Sequence, residues 1–195
     1  MKKLLIVLLF ISASAETQES AQIRAIGHIR HFINSEAKES GIFLAGWSVK
    51  NAMSDIPDNT NVFLGVGYAG KKWSIENMIQ KQWSNAGSAF LLDWRFTAKP
   101  SPRVSLYLEG APMLDKRTFY ELVTIDVRIK GPFSVGLETE NIHRVGKDTL
   151  GFGPRVSVPL PFKILGAKPA IVVSQQFRTL GPNVNRVYTI LNWTF

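Results

Sequence analysis

The three histidines are the residues best suited to acid–base or metal chemistry, and their spacing favours neither. His28 and His31 stand three apart without a third ligand, and His143 lies far downstream. The chain has no cysteine, which excludes thiolate metal sites and disulfides. Ser84 opens a Ser84-Asn85-Ala86-Gly87 run behind Gln82-Trp83. No general base precedes that serine, and a turn explains the composition better than a nucleophile does. The glycines around Phe152 belong to an alternating run rather than to a loop between strand and helix, so a phosphate cradle has no support. No cofactor, metal or nucleic-acid partner is expected, and catalysis is not the expected role.

Charge at alternate positions is the stronger signal. From Gly41 onward the sequence has a period of two. The expected strands run near 41–50, 60–69, 72–83, 88–98, 102–110, 118–130, 132–141, 149–160, 167–178 and 185–195, separated by turns such as Lys130-Gly131-Pro132 and Gly181-Pro182-Asn183. One set of faces is apolar, as in Val62-Leu64-Val66-Tyr68, Phe90-Leu92-Trp94-Phe96, Val123-Ile125-Val127-Ile129 and Val187-Thr189-Leu191-Trp193-Phe195. The other carries six acids (Glu76, Asp93, Glu109, Asp126, Glu138, Glu140) and five bases (Lys50, Arg95, Arg128, Arg155, Arg186). It also carries the glycines Gly46, Gly65, Gly67, Gly136, Gly151 and Gly153.

Such strands close into an all-β, up-and-down antiparallel barrel. Ten strands are expected, with eight as the alternative count. A soluble ligand-binding barrel would hide the apolar face inside. The aromatic spacing favours lipid outside. Trp73 and Trp83 share a face ten residues apart, and at ~3.3 Å per residue and ~40° of tilt that spans roughly 25 Å. Tyr68, Trp94, Phe96, Phe133 and Trp193 then complete an aromatic girdle. The inward charges either line a narrow pore or pair into a network that fills the lumen. Near-balance of sign favours the network, because unpaired buried charge is costly.

The N-terminus reads differently. Lys2 and Lys3, the apolar run Leu4 to Ile11, and Ala13-Ser14-Ala15 have the layout of a cleaved signal peptide over 1–15. Its loss lowers the formal charge from +8 to +6. Residues 16–40 form a separate segment. Within it, Ile23, Ile26, Ile29, Phe32 and Ile33 oppose Arg24, His28, His31 and Asn34 at helical spacing, which predicts a cationic amphipathic helix over 18–37. The barrel itself is expected over 41–195.

Export signal, alternating ten-residue strands and the ending Leu191-Asn192-Trp193-Thr194-Phe195 resemble the bacterial outer-membrane β-barrel proteins of Gram-negative cells. The resemblance implies that Leu191, Trp193 and Phe195 are read by the barrel-assembly machinery. It also puts the C-terminus in the periplasm, along with the turns at 69–71, 98–102, 130–132 and 160–167 and the N-terminus. The remaining connections then face outward. Outer-membrane lipid and lipopolysaccharide become partners, with Lys116, Arg117, Arg144 and Lys147 as candidate phosphate contacts, and a monomer as the expected state. Two lipid A-modifying families are the enzymatic alternative. The deacylases carry His-x-Ser-Asn where this chain has Gln82-Trp83-Ser84-Asn85. The palmitoyltransferases share an N-terminal amphipathic helix but use a set of rim residues that cannot be assigned here. Asn77, Lys81 and Pro154 depart from the barrel pattern, and Pro154 predicts a bulge or a register change.

Overall fold

The computed structural model describes residues 19–33, 40–53, 58–84, 87–113, 117–129 and 131–195. The leader over 1–15, Asn85, Ala86, Lys116 and Lys130 lie outside them. Eleven strands follow in chain order: β1 Glu19–Phe32, β2 Gly41–Met53, β3 Asn59–Ala69, β4 Trp73–Ser84, β5 Gly87–Ser101, β6 Val104–Met113, β7 Thr118–Arg128, β8 Ser134–Arg144, β9 Thr149–Pro159, β10 Lys168–Arg178 and β11 Asn183–Thr194. They close into one barrel in which each strand pairs with its sequence neighbours and β1 pairs with β11. The all-β barrel is therefore present, with eleven strands where ten were expected.

The added strand is β1. Residues 19–32 are extended, in place of the helix expected over 18–37, so the described barrel begins at Glu19 and not at Gly41. The helix reading rested on isoleucine spacing alone. As a strand, the same residues put Ile23 and Ile29 outside and Gln22, Arg24, His28 and Arg30 inside, and both edges find backbone partners. β1 lies antiparallel to β2 but parallel to β11, from Glu19↔Asn183 to Arg30↔Thr194. An odd strand count requires one such junction, because alternating directions cannot close on themselves. As a result, Glu19 lies at the end opposite Phe195. The expectation that the N-terminus and Phe195 share an end concerns residues that lie outside those described; the strand that follows them starts at the end opposite Phe195.

The turns do divide between the two ends as their spacing predicts. Pro154 causes no bulge: β9 and β10 keep one register from Ser174↔Arg155 to Phe177↔Phe152, and only the rungs between them are missing. A proline has no N–H to give to that ladder. The one shift in register falls between Ala98 and Ser101, where β5 runs on past its expected end at 98.

The wall is apolar outside. Leu64, Ile79, Phe90, Leu137 and Phe152 are each more than half exposed. Inside, two small apolar clusters accompany the charges. One is Phe32, Phe43, Ala45, Phe63, Ala69 and Met78; the other is Ala89, Leu91 and Ala111. Gly67 shows why an inward glycine matters: a Cβ there would overlap both the Phe43 ring and the Ile75 carbonyl oxygen.

Candidate functional site

The strand period alone aims Glu138 and Glu140 of β8 into the lumen, and it aims Arg155, Ser174, Gln176, Arg178, Arg186 and Tyr188 of β9, β10 and β11 toward them. Glu138 is fully buried. It accepts hydrogen bonds from Tyr188 OH at 2.7 Å, Gln176 Nε2 at 2.8 Å, Arg186 Nη1 at 3.0 Å, Arg155 Nη1 at 3.2 Å and Ser174 Oγ at 3.3 Å. Glu140 takes Arg24 Nη2 at 2.7 Å, Tyr120 OH at 2.9 Å, Arg178 Nη2 at 3.1 Å, and Arg186 Nη2. Arg155 also reaches Asp126 at 3.1 Å. Donors from both neighbouring and distant strands thus saturate two carboxylates, which is what makes their burial tolerable.

A second assembly joins β1 through β6 with β11. Arg95 Nε lies 2.7 Å from Asp93 and its Nη2 lies 3.4 Å from Glu109, whose other oxygen accepts from Tyr107 OH at 2.7 Å. The Arg95 guanidinium lies 4.1 Å from the Trp47 ring centre and 4.3 Å from that of Phe63. Trp47 stacks on the His28 imidazole at 3.7 Å and donates its Nε1 hydrogen to Glu76 at 2.7 Å. Glu76 also accepts from Arg30 Nη2. Arg30 Nε points to His28 Nε2 at 3.3 Å, and His28 Nδ1 lies 3.2 Å from Asn192 Oδ1. That pattern fits the tautomer with its hydrogen on Nδ1, assigned from the hydrogen bonds.

Glu76, Asp93, Arg95, Glu109, Asp126, Glu138, Glu140, Arg155 and Arg186 therefore all face inward, where alternation puts them. Arg128 does not join them: it is exposed at the end of β7, beyond the lumen charges. Lys50 and Gly46 face outward on β2, and Lys50 pairs with Asp58 at 3.4 Å. Arg178 joins Arg186 on Glu140.

Tyr68, Trp73, Trp83 and Trp94 are exposed on the outer wall, and Phe96, Phe133 and Trp193 are half-buried there. Trp193 Nε1 donates to the Leu165 carbonyl at 2.9 Å, so the last strand pins the β9–β10 connection. Leu191 and Phe195 share its outward face. Arg117, Arg144 and Lys147 are exposed at the opposite end. Asn77 and Lys81 do face outward, and Lys81 Nζ lies 3.8 Å over the Phe90 ring.

Sequence reasoning missed Arg24, His28 and Arg30 because their segment reads as a helix, and Trp47 because the expected register has Gly46 and Lys50 on the inner face, which puts Trp47 on the outer one. The alternation Gln22, Arg24, His28, Arg30 and the interior Gly27 are the signals that point to a strand.

Among the described residues no three His, Cys, Asp or Glu side chains are arranged to hold a metal ion. Ser84 Oγ donates to the Gly87 carbonyl at 3.2 Å, closing the β4–β5 turn. His143 lies outside the lumen beside Phe119 and 3.5 Å from Asp148. What the interior can do is electrostatic: its charge pairs tie together strands distant in sequence. Compared with family models, curated proteins and solved structures, the chain matches none.

Proposed function

We propose that this protein is an exported barrel of the Gram-negative outer membrane, with a structural or narrow-pore role and a lumen largely filled by its own charged side chains. One observation carries the reading: the wall is turned inside out relative to a soluble barrel. Apolar side chains such as Leu64, Ile79, Phe90 and Leu137 stand exposed outside, whereas Glu76, Asp93, Arg95, Glu138 and Arg186 are buried within. Such an outer surface is stable against hydrocarbon and unstable in water. A closed barrel leaves no backbone edge unpaired in that setting. The saturated carboxylates favour a braced interior over a wide channel, since side chains buried against one another occupy the space that channel water would fill.

Two measurements test this. Fractionation of cells that express the full chain should find it in the outer membrane, migrating faster on a gel before boiling than after. Refolded protein in a planar bilayer should show no conductance, or only very small steps. Recovery in the soluble fraction refutes the membrane reading, and large porin-like steps refute the filled lumen.

A further inference from the structure

The rim at the Phe195 end carries positive charge that no neighbouring acid neutralises. Lys71 and Lys72 occupy the β3–β4 turn, Lys99 and Arg103 flank the β5–β6 turn, and Arg128 ends β7; all five are exposed. Residues 69–73, 97–104 and 127–133 contain no Asp or Glu. Among the described residues, none of the five lies within ion-pair distance of a carboxylate. The backbone nevertheless holds them side by side. Lys99 N donates to Lys72 O at 2.7 Å, and Arg128 N donates to Arg103 O at 2.7 Å. Like charges placed opposite one another repel.

The other rim is built differently. Lys50 pairs with Asp58 at 3.4 Å, His143 lies 3.5 Å from Asp148, and Arg178 folds onto Glu140 at 3.1 Å. Among the described residues, Arg117, Arg144 and Lys147 at that rim also have no carboxylate within ion-pair distance, but Asp58 and Asp148 stand among its turns, whereas the β3–β4, β5–β6 and β7–β8 turns at the Phe195 end contain no acid.

Of these cations Lys72 borders an open depression of about 440 Å³ on the outer wall, lined also by Trp73, Phe96, Ala98 and Pro100, and the backbone bond between Lys72 and Lys99 brings the second lysine beside it. A single ammonium at the edge of an otherwise apolar, aromatic surface matches a molecule with a chain at one end and an anion at the other. We propose that this depression and its cationic row bind an anionic phospholipid, with an acyl chain along Trp73 and Phe96 and the phosphodiester against Lys72 and Lys99. The inference rests on the membrane reading and adds to it the lipid class and the rim that selects it.

The test uses the refolded full chain in vesicles of phosphatidylcholine, or of an equal mixture with phosphatidylglycerol. The protein is extracted in mild detergent and its retained lipid is measured by mass spectrometry. Phosphatidylglycerol should be enriched over the bulk mixture, and the enrichment should fall as salt is raised. Replacing Lys72, Lys99, Arg103 and Arg128 by Gln should reduce retention by about tenfold or more, whereas Gln at Arg117, Arg144 and Lys147 should leave it unchanged. Should the fourfold variant not refold, the salt dependence of the wild type decides. Retention at the bulk lipid ratio, or unchanged retention in the folded fourfold variant, overturns the inference while leaving the membrane reading intact. Failure to insert into either vesicle overturns both.

Discussion

Arg186 and Glu138 meet in the lumen at 3.0 Å, 48 residues apart in sequence and with no exposed side-chain surface on either. Neither charge can reach water, so each depends on the other and on the donors around them. Leu at either position should destabilise the barrel by about 3–5 kcal/mol, because it strands a buried charge. The double replacement should cost less than the two singles together, by about 1–3 kcal/mol. Denaturant unfolding of the refolded chain measures this, and strict additivity would show that the pair does not act as one unit.

Trp47 lies between the His28 imidazole and the Arg95 guanidinium while donating to Glu76. Trp47→Ala should remove about 3 kcal/mol of stability and open a path past Arg95. In planar bilayers the variant should conduct measurably more than the wild type. Equal silence in both would mean that the indole is not part of the lumen seal.

Gly67 leaves the space that the Phe43 ring occupies. Gly67→Val should cost about 3 kcal/mol by overpacking, seen as loss of the fast-migrating folded band. Adding Phe43→Ala should restore part of it. If the double variant folds no better than the single, the overlap with the Ile75 carbonyl and not the Phe43 ring dominates.

The parallel seam can be checked directly because the chain contains no cysteine of its own. Ala25 of β1 is aligned with Thr189 of β11, both on the outer face. Neighbouring strands stand ~4.8 Å apart, within disulfide range. Ala25→Cys with Thr189→Cys should therefore cross-link under mild oxidation. A helix over 18–37 would leave the pair reduced.

The same seam has a consequence for orientation. Glu19 is aligned with Asn183 at the end opposite Phe195. If the barrel spans a membrane, epitope tags placed before Glu19 and after Phe195 should be accessible from opposite sides. Accessibility from one side only would place β1 outside the barrel.

Alternation is a local property, since neighbouring side chains of a strand point to opposite faces whatever the strand pairs with. For that reason Glu76, Asp93, Glu109, Glu138 and Glu140 could be assigned inward, and Leu64, Trp94 and Val187 outward, before any partner was known. The division of the turns between two ends followed from the same period and the turn residues. The segment 19–32 is where local information failed. Ile23, Ile26, Ile29 and Ile33 satisfy a helical spacing, while Ile23, Ala25, Gly27 and Ile29 also alternate. Two periods fit one stretch, and pairing with β11, more than 150 residues away, selects between them.

The sequence by itself thus determined a period-two barrel, the ends at which its turns lie and its inner and outer faces except on β2, where Gly46 and Lys50 face outward against the expected register, because each depends on residues a few positions apart. Only the tertiary structure decided that there are eleven strands, that β1 and β11 run parallel, and that Arg24, Arg178 and Arg186 converge on Glu140. Those are questions of which side chains share a space, and closing the barrel is what brings distant strands to the same lumen.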